Sequence, residues 1–209
     1  MSDVVMDSRL TQVERERTLS RIKSRVVDRV PAAYLMREAW FMGLPFYVDE
    51  RVLVPRSPIA ELIESGFQPW LQTDGIKDIL DLCTGSGCIG IAMARAFENT
   101  AVDVSDLSEQ AVAIAIENVS SKDLGYQVGV YQGDLFSGLP DERYDVIVTN
   151  PPYVDAEDLD DMPMEFHHEP RMGLEAGDDG LDIVRKILKQ APDYLTDDGW
   201  LICEVGNSA

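Results

Sequence analysis

The sequence predicts an α/β fold, a mostly parallel sheet covered by helices on both faces and preceded by an amphipathic helix and a β-hairpin. Three observations carry that reading. From Ile76 onward, short apolar runs alternate with stretches of helical periodicity, the signature of repeated strand-helix-strand units. A glycine-rich turn, Cys83 to Gly90, separates the first of these strands from its helix. The apolar run Val146 to Val148 is then cut short by Asn150-Pro151-Pro152-Tyr153, because two prolines cannot donate ladder hydrogen bonds.

Taken in order, apolar residues at Leu10, Val13, Leu19, Ile22, Val26 and Val30 recur at helical spacing and predict one amphipathic helix from about Arg9 to Val30, ended by Pro31. Its apolar stripe is expected either to pack on the main domain or to be left from a larger helical bundle. Residues 37–54 predict a hairpin: Ala39 to Met42, a break at Gly43-Leu44-Pro45, then Phe46 to Val48 and Val52 to Val54 around polar Asp49-Glu50-Arg51. A helix follows from about Ile59 to Gly66, capped by Ser57 with Pro58 at its first position.

The sheet strands are expected at Lys77–Leu82, Ala101–Val104 with Asp103 near its end, Gln127–Gln132, Tyr144–Thr149 and Trp200–Val205. Between them lie a helix that follows the glycine turn, through Ala92 to Phe97, one capped by Ser105 or Ser108, and one capped by Asp178 or Asp179. The chain thus divides into an amino-terminal helix (1–33), a hairpin with its connecting helix (34–74) and a sheet domain (75–209).

Composition narrows the function. The 209 residues are 45% hydrophobic, enough for a full core, without an apolar run long enough to span a membrane or an obvious signal peptide. A cytoplasmic protein is expected. Cys83, Cys88 and Cys203 form no C-x-x-C pair, and the only histidines, His167 and His168, are adjacent, so no metal site is expected. The net charge of −20 argues against a phosphate backbone as partner. Residues 1–30 are +2, so the remainder carries −22; between Asp155 and Asp182 eleven acids meet a single base, Arg171. That run is either a solvated, salt-adapted surface or a collar that attracts a basic protein.

Two motifs carry chemistry. Gly85-Ser86-Gly87-Cys88-Ile89-Gly90 satisfies G-x-G-x-x-G between a strand and a helix, with an acid, Asp103, about 18 residues beyond the first glycine. Such a loop lets backbone approach a cofactor, and such an acid can hold two ribose hydroxyls, which suits NAD or S-adenosylmethionine equally. The second motif separates the two cofactors. A planar amide or exocyclic amine is a poor nucleophile because its nitrogen lone pair is delocalised. Acceptors on both of its N–H bonds raise density on that nitrogen; the Asn150 side chain and the Pro151 carbonyl can supply them, with Pro152 and Tyr153 as flat walls. Methyl transfer to nitrogen asks for that tetrad and hydride transfer does not. Asp134, after the third strand, is then placed for an adenine amino group, and Asp81, inside the first strand, for loop amides or the cofactor's amino group.

Together, the glycine loop, Asp103, Gly133-Asp134 and Asn150 to Tyr153 resemble the HemK/PrmB-type protein-glutamine methyltransferases, from about Tyr34 to Asn207. The resemblance implies a Rossmann-like, class I S-adenosylmethionine-dependent methyltransferase fold. Phe46 to Ile59 and Glu165-Phe166-His167-His168-Glu169-Pro170-Arg171 are similar to the branch that methylates a glutamine of ribosomal large-subunit protein three, rather than to the release-factor branch. It further implies cofactor contacts at Cys83, Thr84, Gly85, Ser86, Gly87, Asp103, Asp134 or Leu135, and Asn150, and a substrate glutamine at Asn150, Pro151, Pro152 and Tyr153. The implied partner is a basic ribosomal protein, with no direct nucleic-acid or membrane contact. Two departures stand out: the family's amino-terminal helical domain is represented by one helix, and five strands are counted against the family's seven. A chain shortened at both ends is therefore expected, with Trp200 to Val205 left as an apolar edge. Competing readings are a nucleic-acid adenine or cytosine amino-methyltransferase, which acts on a flipped-out base with a similar tetrad, and a non-catalytic cofactor-binding or ribosome-docking module.

Overall fold

The computed structural model describes residues 9–72 and 75–206. The chain enters as α1 (Gln12–Val26), closed by a capping box in which Thr11 Oγ1 accepts from the Glu14 amide and the Glu14 carboxylate accepts from the Thr11 amide. A short α2 (Ala32–Met36) leads into the hairpin β1 (Ala39–Phe41) and β2 (Leu44–Phe46), and α3 (Ile59–Glu64) follows. The sheet domain alternates β3 (Asp78–Leu82), α4 (Cys88–Ala96), β4 (Ala101–Asp106), α5 (Glu109–Ser121), β5 (Val128–Gln132), β6 (Tyr144–Thr149), α6 (Ala156–Asp161), α7 (Asp182–Tyr194) and β7 (Leu195–Cys203).

The sheet is parallel throughout, in the order β5-β4-β3-β6-β7. The chain winds outward from β3 through β4 to β5, then returns to the other side of β3 with β6. The order reverses between β3 and β6, and in such sheets a crevice opens there beyond the carboxyl ends of the strands.

Strand alternation sends apolar side chains into two layers. On one face, Ile79, Val104 and Val146 pack with Ile91 and Met93 of α4, Ile114 of α5 and the hairpin's Phe41 and Phe46. On the other, Leu80, Leu82 and Ile147 pack with Phe136, Tyr144, Ile187 and Ala191. The hairpin therefore shares one core with the sheet.

Gly90 shows how tightly α4 lies on that sheet. A Cβ there would run into Val104 Cγ1 and lie 3.2 Å from Asp81 Oδ2, both fully buried. Gly90→Ala is expected to cost ~1–3 kcal/mol by overpacking, lowering the melting temperature by about 2–12 °C at 2–4 °C per kcal/mol for a chain this long. Calorimetric melting of the two proteins checks this; an unchanged midpoint would mean the two layers slide apart freely.

Several local expectations are corrected. The hairpin turns at Met42-Gly43, both with positive φ (48° and 73°), so Leu44-Pro45 belongs to the second strand rather than to the break. A two-residue turn with both φ positive matches the twist of the strands it joins. Residues 47–54 form no strand; their polar anchor is buried Asp49, which accepts from the Arg51 amide (3.1 Å), its guanidinium (2.7 Å) and the Tyr47 hydroxyl (3.0 Å). The glycine-turn helix starts earlier than expected, at Cys88, and Ser108 caps α5. Neither Asp178 nor Asp179 caps α7: the cap position is Leu181, and Asp179 instead accepts from the Leu181 amide and pairs with Arg185. The stripe on α1 does not pack on the sheet domain, since no α1 residue is buried and Leu19, Ile22 and Val26 are each more than half exposed. The last strand begins at Leu195, five residues before its expected start.

Candidate functional site

A cleft of about 750 Å³ opens at the carboxyl edge of the sheet. Four loops meet there: the glycine turn after β3, the β4–α5 connection, Gly133 to Leu135 after β5, and Asn150 to Tyr153 after β6. Of the residues expected from sequence, Cys83, Thr84, Gly85, Ser86, Asp134, Leu135, Asn150, Pro151, Pro152 and Tyr153 line it; Asp81, Gly87 and Asp103 do not.

The glycine turn is held open by its neighbours. The Thr84 amide donates to the Ser105 carbonyl (3.0 Å), and the Gly85 amide to Asp106 Oδ2 (2.9 Å). Cys83, Gly85 and Gly87 all have positive φ (57°, 56° and 81°). A Cβ on Gly85 would meet no protein atom within 4 Å, so the bare backbone there borders open space. Asn118, from α5, braces the turn: its side-chain nitrogen donates to the Ser86 and Tyr47 carbonyls (2.9 and 3.0 Å), tying hairpin segment to glycine loop.

Asp81 takes the first of its two expected roles. It is fully buried, and its Oδ2 accepts from Thr84 Oγ1 (2.5 Å) and the Gly90 amide (2.8 Å), so it shapes the loop from beneath and is corrected as a direct cofactor contact. Burial pushes its carboxyl up to about 7, against the opposing pull of those two donors, and Oδ1 has no partner among the described residues. The folded pKa exceeds the unfolded 3.8, so folding favours the protonated form and stability falls as pH rises from about 4 to about 7. Asp81→Asn keeps an acceptor and removes that loss. Its stability should match the parent near pH 4 and exceed it increasingly up to pH 7, by no more than roughly 4 kcal/mol at 1.36 kcal/mol per pKa unit, read as a rise in melting temperature. A difference that stays flat with pH would assign Asp81 an ordinary carboxylate.

Asp103 is the second correction. Strand β4 runs on to Asp106, which places Asp103 in mid-strand, where its Oδ2 accepts from the Tyr144 hydroxyl (2.8 Å). Asp106 stands at the strand end in the cleft, its oxygens turned toward the Gly85 and Ser108 amides (both 2.9 Å). Burial raises its carboxyl and the amides draw it back down. The residue was legible: Ser108 begins a helix, so the strand must extend close to it, and Asp106 followed by Ser108 is an Asx turn. Next to it, the Ser105 hydroxyl is buried with no partner among the described residues.

On the far side, the Thr149 hydroxyl donates to the Leu82 carbonyl (2.9 Å) and the Glu204 amide to the Thr149 carbonyl (3.0 Å), fixing the end of β6 against both neighbouring strands. Asn150 therefore leaves the sheet from a rigid base. Behind the tetrad, a Cβ on Gly180 would strike the Tyr153 carbonyl, and Val154 exchanges backbone hydrogen bonds with Leu174 and Ala176 (2.8 and 2.9 Å).

Residues 162–174 contribute Met162, Phe166, Pro170 and Met172 to the cleft lining. Glu169, buried, accepts from Arg56 Nη1 (2.7 Å) and the Val54 amide (3.1 Å), while the Arg56 guanidinium lies 4.7 Å from the Phe166 ring centre. Glu165 receives Arg25 and Arg29 from the α1 side (2.9 and 2.7 Å), and His168 Nε2 donates to the Asp28 carbonyl (2.7 Å). Among the described residues no His, Cys, Asp or Glu cluster could hold a metal, and no helix is long and apolar enough to cross a membrane.

The family model described as the methyltransferase small domain matches residues 67–177. A Xanthomonas campestris pv. campestris protein named ribosomal protein uL3 glutamine methyltransferase is 54% identical over 201 residues, which cover 96% of this chain and 65% of that protein. A Francisella tularensis protein of the same name is 47% identical over 205 residues, covering 98% and 65%. The chain thus spans 65% of the length of each. Among solved structures, a methyltransferase from Pyrococcus furiosus aligns at TM-score 0.55 and 18% identity, over 94% of this chain and 80% of that one. The catalytic domain of hMettl16, solved with an RNA hairpin, aligns at TM-score 0.62 and 17% identity, over 94% and 68%. Both likenesses concern the fold.

Proposed function

The chain belongs to the methyltransferase small-domain family, and on that premise we propose that it methylates the side-chain amide nitrogen of a glutamine in large-subunit ribosomal protein uL3, with S-adenosylmethionine as methyl donor. One observation carries the chemistry: Asn150-Pro151-Pro152-Tyr153 and the glycine turn line one cleft at the point where the strand order reverses. The names of the two relatives support the substrate.

The residues fit the cofactor. Gly85 leaves bare backbone beside open space, Asp106 brings a carboxylate to the strand end, and the orphan Ser105 hydroxyl needs a polar partner. When bound, S-adenosylmethionine supplies a methyl group on a positively charged sulfur, with a neutral thioether as leaving group. Asp106 would hold the ribose hydroxyls, the Cys83–Ser86 backbone the amino-acid moiety, Asp134 the adenine amino group and Leu135 the ring face. Asn150 and Pro151 would accept the two amide N–H bonds of glutamine, orienting its nitrogen and raising density on it. Pro152 and Tyr153 would flank the amide plane. The proton displaced on N-methylation leaves from a very acidic nitrogen, so no side-chain base is required.

The acidic run between Asp155 and Asp182 includes Glu175, in the cleft lining, and exposed Asp158, Asp161, Asp178 and Asp179. It would draw a basic protein by long-range attraction, and a ribosomal substrate would place the enzyme in the cytoplasm.

The test is transfer of labelled methyl from S-adenosylmethionine to uL3 lacking the modification, with the modified residue located by mass spectrometry. A single methylated glutamine supports the reading. Label on nucleic acid, or on no uL3 glutamine, overturns it.

A further inference from the structure

The last described strand delivers an acid to the tetrad. Directly after β7, the Glu204 amide continues the ladder onto Thr149, so the Glu204 backbone is fixed relative to the residue preceding Asn150. Its two side-chain oxygens then accept from two separate segments of the cleft lining. Oε1 takes the Tyr153 hydroxyl (2.9 Å) and Oε2 takes the Ser57 hydroxyl (2.5 Å). Ser57 is buried and in turn accepts from the Ile59 amide (3.2 Å), which anchors the start of α3. Both Ser57 and Tyr153 line the cleft.

We infer that Glu204 is a positioning residue, which holds the Tyr153 ring as the aromatic wall of the amide subsite and ties it to Ser57 at the start of α3. This rests on the function proposed above and extends it to the placement of the tetrad. The chemical need is specific. A phenol free to donate would seek the carbonyl oxygen of the substrate amide, and that bond would withdraw density from the nitrogen that Asn150 and Pro151 enrich. With its proton committed to Glu204, Tyr153 offers the substrate only a ring face. Burial, with the charge of Glu204, pushes the Tyr153 hydroxyl up to about 12, so it stays a donor across the working pH range.

The experiment compares Glu204→Ala, Glu204→Gln, Tyr153→Phe and the Glu204→Ala/Tyr153→Phe pair. Binding of S-adenosylhomocysteine is measured by calorimetry, methyl transfer to uL3 as kcat and KM, and the tyrosine environment by carbon-13 at Cζ. Of seven tyrosines, the resonance missing in Tyr153→Phe is that of Tyr153. Glu204→Ala should move that resonance, lower kcat by about 10–100-fold and leave S-adenosylhomocysteine affinity within about threefold. Glu204→Gln, which keeps an acceptor, should recover most of the loss. The double variant should be no worse than Glu204→Ala within about threefold, as expected for groups acting as one unit. An unmoved Tyr153 resonance, an unchanged kcat, fully multiplicative losses, or a parallel collapse of cofactor affinity and melting temperature overturns the inference. If the parent protein itself transfers no methyl to uL3, the function reading falls, while the Tyr153 resonance still decides whether Glu204 holds the ring.

Discussion

Asn150→Ala should lower kcat about 10²–10³-fold, the loss that follows removal of one preorganised hydrogen-bonding group from a reacting centre. The expectation is large because Asn150 has no slack: it emerges from a strand end tied on one side to Leu82 by Thr149 and on the other to β7 by the Glu204 amide. The lost group is an acceptor that the amide needs most as its nitrogen begins to form a fourth bond, so the effect should fall on kcat more than on KM. Single-turnover methyl transfer with saturating S-adenosylmethionine measures it directly. A loss below threefold would remove Asn150 from the mechanism.

Asp106→Ala should weaken S-adenosylmethionine binding by about 10²-fold or more, whereas Asp103→Asn should leave it within about threefold. Hydrogen bonds to a charged group are worth ~1.5–3 kcal/mol each, and a carboxylate that holds two ribose hydroxyls contributes two of them. Asp106 can do this from the cleft; Asp103 is occupied with Tyr144 inside the sheet. Because Asp106 also accepts from the Gly85 and Ser108 amides, the variant's melting temperature is measured alongside the calorimetric titration. Equal losses in both variants would return the ribose role to the earlier acid.

The contrast between these two aspartates also shows what could be read from sequence. The tetrad was legible because Pro-Pro stops a strand whatever surrounds it, and the glycine turn because its spacing has a backbone meaning. The two acids are not separable by their spacing in sequence, because a separation of about twenty residues suits both Asp103 and Asp106; what distinguishes their placement is the exact end of β4, the least readable property of a strand. The hairpin turn was displaced for a related reason: Met42 at positive φ is an unusual choice, and Gly43-Leu44-Pro45 looked like the better break. Glu169, Asn118 and Glu204 were not singled out as site residues at all. Their partners lie 113, 71 and 51 residues away, and no local pattern announces such a pairing.

Ser57 and Glu204 are 147 residues apart in the chain yet share one carboxylate-centred contact. At ~5–20 residues per second, synthesis separates their appearance by roughly 7–30 s. Until β7 arrives, the glycine turn, β3 and β4 can assemble but β6 lacks its second parallel neighbour, because a parallel β7 cannot be nucleated by a hairpin and must wait for α7 to cross the sheet. Between the synthesis of Thr149 and that of Cys203, roughly 3–11 s at the same rate, the apolar flank of β6 stands open, which makes that flank an expected target of chaperones.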